Sequence, residues 1–196
     1  MKEKWQNQHD TEEAPWDYNE FDVDFKEELL LLSKVLGKNK TVIDLGCGNG
    51  SQAHYIEKMG YDVTAADIVN VLKYDVKNFV INDALDSKLT KTYDIIIDRG
   101  LVHNLFHLEN RNKYFEMIGN ITHEKSYILL KVMSPYETRF HPLTHSGPYR
   151  FTERQLVKFF SGFNFYLLKL KDTFFYSNIQ PYLRGYFCVY KKEEYK

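Results

Sequence analysis

The chain has 196 residues, 26 Lys and Arg against 27 Asp and Glu, and a formal net charge of −1. That length suits one domain with a sizeable core, and the near-neutral balance argues against a protein that grips nucleic acid mainly through its phosphates. No apolar run approaches the roughly 20 residues that span a bilayer, residues 1–13 lack the apolar stretch of a signal peptide, and two cysteines make no disulfide framework. Free thiols in a reducing, cytoplasmic setting are therefore expected.

Residues 1–13 read as a mobile polar leader, ahead of a single domain over 14–196. Within it, 14–37 form an N-terminal segment. Apolar positions Phe21, Phe25, Leu29, Leu32 and Leu36 step by threes and fours and predict a helix over 21–36. Gly37 is placed to end it. A β-branched run over 41–45 then predicts the first strand. It stops at Gly46-Cys47-Gly48-Asn49-Gly50, ahead of a predicted helix over 51–59 that Gly60 closes. Strand, tight turn and helix N-terminus make a nucleotide-binding α/β unit. The glycines permit the turn and close backbone approach. The helix end is expected to offer free amides to an anionic group. A dinucleotide fingerprint would place its third glycine at Ser51. Here it is Gly50, and Asp44 stands two residues before the first glycine.

The second strand, 62–67, ends in Asp67, about 20 positions beyond the loop, where a ribose-binding acid is expected. The alternative is an Asp capping a helix. Residues 69–77 leave room for only a short crossover helix. A strand over 79–81 leads into Asn82-Asp83-Ala84, which also reads as an ordinary Asn-Asp turn. The fourth strand starts at Tyr93 and ends in Asp98-Arg99-Gly100, with His103 five residues past Asp98. Ligands in parallel sheets bind beyond such strand ends. A helix over 105–121, a strand over 127–132 and a long loop over 133–149 follow. A loop of that length at that place is commonly functional. It carries His141 and His145. Thr152 is a candidate N-cap for a helix to about 161. Strands over 163–170 and 185–190 complete the chain.

Taken together, these motifs resemble the class I S-adenosyl-L-methionine (SAM)-dependent methyltransferases. The glycine loop with Asp44 is similar to their motif I. Pro15-Trp16-Asp17, Asp98-Arg99-Gly100 and the Arg111-x-x-Tyr114 spacing look like the small-molecule branch that includes thiopurine and thiol methyltransferases. The resemblance implies an α/β, doubly wound, seven-stranded, mostly parallel, Rossmann-like sheet with an antiparallel last strand and an edge hairpin. It implies SAM as cofactor, S-adenosyl-L-homocysteine as product, and a small-molecule acceptor reacting through S or O by in-line displacement. Carried over residue by residue, it puts Trp16 (as a lid), Asp44, Gly46, Cys47, Gly48, Asn49, Asp67, Ile68, Asp83, Ala84, Asp98, Arg99 and Gly100 on the cofactor. It puts Tyr18, Arg99, His103, His107 and Tyr149 on the acceptor. Two departures stand out: the loop is the generic class I form, so the site is carried over and not the thiopurine substrate, and the crossover before the third strand is short. The Pro-Pro-aromatic and Pro-Cys motifs of DNA-methylating relatives are absent.

Methyl transfer from a sulfonium needs alignment and exclusion of water. A hydroxyl acceptor also gains from a base within reach. His103 is the candidate base. The alternative is a histidine that caps a helix or fills a pocket wall. His107, four residues on, would share its helical face. No metal is expected from this pair or from His141 and His145, since two ligands are not a site and no H-E-x-x-H occurs. Trp16 has a plain alternative role as a staple for the first helix. Rival functions are an NAD(P)-linked oxidoreductase, a non-catalytic SAM-binding or regulatory subunit, and an RNA or protein methyltransferase. A monomer or homodimer is expected.

Overall fold

The computed structural model describes residues 2–10, 16–139, 148–178 and 180–193. Its centre is a seven-stranded sheet in the order β3-β2-β1-β4-β5-β7-β6. The strands are β1 (Thr41–Leu45), β2 (Asp62–Asp67), β3 (Phe79–Ile81), β4 (Tyr93–Arg99), β5 (Thr122–Met133), β6 (Phe165–Phe175) and β7 (Leu183–Lys192). The first five run parallel. β7 is antiparallel to both β5 and β6. This is the doubly wound methyltransferase-type sheet the motifs imply, with its one reversed strand inside the edge hairpin.

Both faces are covered, and the strands are apolar on both as a result. Alternation decides which side each residue serves. Ile43, Leu45, Ile96, Ile128, Leu130 and Val132 pack with Tyr114, Ile118 and Phe160 on one face. Val42, Val63, Ala65, Ile95, Ile97 and Leu129 pack with Phe25, Leu29, Ala53 and Ile56 on the other. The helices supplying those partners are α2 (Val23–Leu36), α3 (Ser51–Lys58) and α4 (Leu108–Asn120), with Phe160 coming from the turn ahead of β6. The chain reverses winding between β1 and β4, so a crevice opens beyond their carboxyl ends.

Several expected boundaries move. Residues 2–10 form a helix, α1 (Lys2–Asp10), and Trp5 meets Trp16 edge-to-face at 5.7 Å. α2 starts two residues later than the periodicity predicts, because Asp22 caps it by accepting the Asp24 N–H. Gly37 ends it at φ 81°, as read. No helix forms between β2 and β3. There the Asn49 carbonyl accepts the N–H groups of Lys73 and Tyr74, which holds the short crossover in an irregular course. The predicted helix over 105–121 begins only at Leu108, because the preceding residues are drawn into a 3-10 turn, Val102–Asn104. α5 (Glu153–Val157) is brief, but Thr152 and Gln155 close a full capping box at its start. No helix among the described residues is long and apolar enough to cross a membrane.

Candidate functional site

The cradle begins where β1 stops. The N–H groups of Gly46 and Cys47 both reach the Ala66 carbonyl, at 2.8 and 3.1 Å, which folds the loop over the end of β2. Asp67 then holds it: Oδ2 accepts the Gly48 N–H at 2.9 Å and Oδ1 the Val69 N–H at 3.2 Å. Gly50 sits at φ 83°, a left-handed conformation that favours glycine, with the Leu72 side chain packed close against it. Cys47 is buried, and that burial pushes its thiol far above the ordinary range. It is a wall of the loop, not a nucleophile.

The helix end differs from expectation. The Asn49 side chain accepts the Ser51 N–H at 3.0 Å, and Ser51 and Gln52 are buried. Residues 17–22 run over them as a strap. Ser51 Oγ donates to the Tyr18 carbonyl, Gln52 donates to the Glu20 carbonyl and accepts the Asp22 N–H, and Tyr55 and Tyr74 donate to the Asn19 carbonyl. Asn49 thus takes the first α3 amide, the strap holds the Ser51 and Gln52 side chains, and the Ala53 N–H goes to the Asp44 carboxylate. Beneath the loop lies the opposite preference. Asp44 is 2% exposed. Its Oδ2 is the one buried side-chain oxygen or nitrogen without a hydrogen-bond partner among the described residues. Burial first, and then the nearby Asp67 charge, raise its pKa to about 7. A buried carboxylate in that condition is satisfied by a proton or by a cation.

Beyond β3, Asp83 accepts the N–H groups of Leu85 through its side chain and Asp86 through its carbonyl. That is the Asn-Asp turn the residues also suggested. Ala84 is buried beside it and Ile68 half-buried.

The end of β4 organises the acceptor side. Asp98 is fully buried and accepts from Leu101 N–H at 2.6 Å, Val102 N–H at 3.0 Å and the Tyr114 hydroxyl at 2.8 Å. Burial still holds its pKa up at about 6 against those donors. Its carboxylate builds the turn. The same turn sets Leu101 against Gly46, bringing residues 100–103 alongside the glycine loop. Arg99 is also already engaged. Its Nε donates to Asp22 Oδ2 at 3.0 Å, a terminal nitrogen donates to the Tyr176 carbonyl, and the guanidinium lies 5.4 Å from the Tyr18 ring centre and 5.7 Å from that of Phe175.

His103 is buried against Phe175, with ring centres 5.3 Å apart. Its Nδ1 accepts the Met133 N–H at 3.2 Å. Burial, assisted by the Arg99 charge, pushes its pKa down to about 3. The ring is therefore neutral with its proton on Nε2, a state with no free lone pair to act as a base. His107 shares no helix with it: it is exposed and lies at the extended N-cap position of α4. Tyr149 is half-buried, with the Arg111 guanidinium 4.4 Å from its ring centre. Tyr18 is half-buried in the strap, and burial with the neighbouring Glu20 raises its hydroxyl pKa to about 12. Pro15, His141 and His145 lie outside the described residues.

Sequence reading missed the buried pair beneath this cleft. Lys131 and Asp22 are both wholly buried, joined at 2.6 and 2.8 Å, and Lys131 also meets Asp24 at 2.6 Å. The signal was present: a lysine inside the run Ile128-Leu129-Leu130-Lys131-Val132 has to find a counter-charge.

The fold and the loop define a class, and the comparisons name it. Residues 18–170 match the family model described as a methyltransferase domain. The chain belongs to that family. A putative methyltransferase, 235L, of Invertebrate iridescent virus 6 is 31% identical over 108 residues, 50% of this chain and 40% of that protein. The ribosomal protein L11 methyltransferase of Thermotoga petrophila is 31% identical over 112 residues, again 40% of its length. The chain thus spans about two-fifths of the length of these curated relatives. Among solved structures, the 1,6-didemethyltoxoflavin-N1-methyltransferase of Burkholderia thailandensis superposes with a TM-score of 0.74 at 16% identity, covering 98% of this chain and 87% of that one. The magnesium protoporphyrin IX methyltransferase of Synechocystis PCC 6803 gives 0.63 at 15%, covering 86% and 77%.

Proposed function

We propose that the chain is a SAM-dependent methyltransferase that alkylates a small-molecule S or O nucleophile by in-line displacement. The observation that carries this reading is Asp44. An orphaned, buried carboxylate oxygen under the glycine loop suits a cofactor with a cationic end and opposes a pyrophosphate. The use of the Ser51 amide by Asn49 and of the Ala53 amide by Asp44 argues the same way against an NAD(P)-linked oxidoreductase, whose pyrophosphate would take such amides. Bound SAM supplies an electrophilic methyl on its sulfonium. Asp44 would hold the ammonium, and Asp67 the ribose, from the place where it already braces Gly48. The loop of Gly46, Cys47, Gly48 and Asn49 would give close backbone contact. Asp83, Ala84 and Ile68 would frame the adenine. Trp16 and, on the strap, Tyr18 would cover the cleft, and His103, Gly100, Arg99 and Tyr149 would wall the acceptor. The small-molecule methyltransferases among the structural neighbours support a small-molecule acceptor.

The test is calorimetric titration with SAM, S-adenosylhomocysteine and NAD in parallel. The reading expects micromolar binding of the first two, lost in Asp67→Ala. Binding of NAD alone would sink it. Absence of all three would favour a non-catalytic subunit.

A further inference from the structure

The geometry points to His103 as the positioning residue that clasps both ends of the segment between β5 and α5, on the acceptor side of the site. The inference rests on the methyltransferase reading only for the word acceptor. Met133 closes β5, and its N–H is taken by His103 Nδ1 at 3.2 Å. Tyr149 stands sixteen residues further on, and its N–H is taken by the backbone carbonyl of the same His103 at 2.6 Å. Met133 and Arg150 also form a parallel bridge, and Phe151 N–H reaches the Met133 carbonyl at 3.0 Å. One residue of the 3-10 turn therefore ties the departing and returning chain together through its side chain and its backbone at once.

The turn itself is rigid for stated reasons. Asp98 fixes its first two N–H groups. Gly100, at φ 96°, leaves room for the imidazole: a Cβ there would lie 2.9 Å from His103 Nε2. Phe175 closes the other side of the ring. Nδ1 is committed to the Met133 N–H. The side chain is thus used as a hydrogen-bond acceptor toward the main chain, and it acts on the reaction through Met133, Tyr149 and Arg150. Arg150 in turn donates to the Glu137 carbonyl at 2.8 Å, extending the clasp into the start of the segment.

The substitutions His103→Asn and His103→Leu separate this role from that of a base. Asparagine puts an amide oxygen where Nδ1 sits and keeps the acceptor. Leucine fills the space and removes it. Hydrogen exchange is followed by mass spectrometry on S-adenosylhomocysteine-saturated protein. In His103→Leu, protection of peptides holding Met133 and Tyr149 should fall about five- to tenfold, the worth of one neutral hydrogen bond. It should stay within about threefold of the parent in His103→Asn. Unchanged protection in His103→Leu, or equal loss in both variants, overturns the clasp. Should His103→Leu fail to fold, ring nitrogen NMR on the parent at neutral pH decides: an unprotonated Nδ1 supports the clasp, and a protonated Nδ1 refutes it. If the parent binds no S-adenosylhomocysteine, the methyltransferase reading falls, and the same exchange comparison without it still judges the clasp.

Discussion

Asp44 makes affinity for the cofactor depend on pH in a direction fixed by the structure. Its pKa is raised to about 7 by burial and by Asp67. An ordinary aspartate lies near 3.9. A cationic ammonium placed against Oδ2 favours the ionised form and draws the bound-state pKa back toward the ordinary range. Binding below pH 7 must then expel a proton. The sign follows from linkage: the protonated free protein competes with the ligand, so affinity rises with pH until the free carboxylate is ionised. With a free-state pKa of about 7, the penalty at pH 6 is about tenfold and has nearly gone by pH 8. Calorimetric titration with S-adenosylhomocysteine between pH 5.5 and 7.5 reads this directly. The dissociation constant should fall by nearly tenfold per pH unit at the acid end. Buffers of different ionisation enthalpy should report about half a proton released near pH 7. Asp44→Asn should bind more weakly and show no pH dependence over that window. A flat profile in the parent, with no proton release, would refute the assignment of Asp44 to the cofactor's charge. The same shift bears on stability. A raised carboxylate pKa contributes stability that is full below about 3.9 and is lost as pH rises through about 7. The unliganded protein should therefore gain thermal stability from Asp44→Asn at pH 8 and not at pH 4.

Two further outcomes test the framework around the cleft. Lys131→Met takes the buried cation from between Asp22 and Asp24, leaving Asp22 to Arg99 and Asp24 to Lys171 and Thr173, and should cost about 3 kcal/mol in urea denaturation. Adding Asp22→Asn should recover part of that loss, and a single-variant loss under about 1 kcal/mol would show that the ion cluster is not buried as described. Tyr114→Phe takes one donor from Asp98 without altering the packed ring, so a loss of about 1–3 kcal/mol is expected by thermal melting; no change would mean that the hydroxyl and the carboxylate do not meet.

The layout of the sheet was legible in the chain because its signals are local. Apolar β-branched runs over 41–45, 62–67 and 79–81 became β1, β2 and β3 with the same bounds. Gly37 and Thr152 ended and began helices where their chemistry directs. The glycine loop was readable because only glycine tolerates the backbone conformation that it adopts. What failed was also physical. The helix expected from residue 105 starts at Leu108, because the Leu105 N–H closes the 3-10 turn on the Val102 carbonyl, a turn that Asp98 anchors from its other end. Periodicity cannot register such a competition. Of the free amides expected at the α3 N-terminus, that of Ser51 was taken by Asn49 and that of Ala53 by Asp44, under a strap from 30 or so residues earlier.

The sequence by itself determined the sheet, the position of the cradle and the acids placed around it, because each follows from neighbours in the chain. Only tertiary structure decided what those acids and bases do. Asp44 and Asp98 are two carboxylates at the ends of adjacent strands, and the chain alone gives them similar roles. In the fold one lacks a partner for Oδ2 and the other accepts three hydrogen bonds. His103 has the intrinsic pKa of a base, yet burial and a backbone amide 30 positions away make it an acceptor. Arg99 is cationic in any fold, but Asp22, 77 positions earlier, occupies it. Protonation and hydrogen bonding depend on which groups are brought within about 3 Å, and for these residues the partners are remote in sequence.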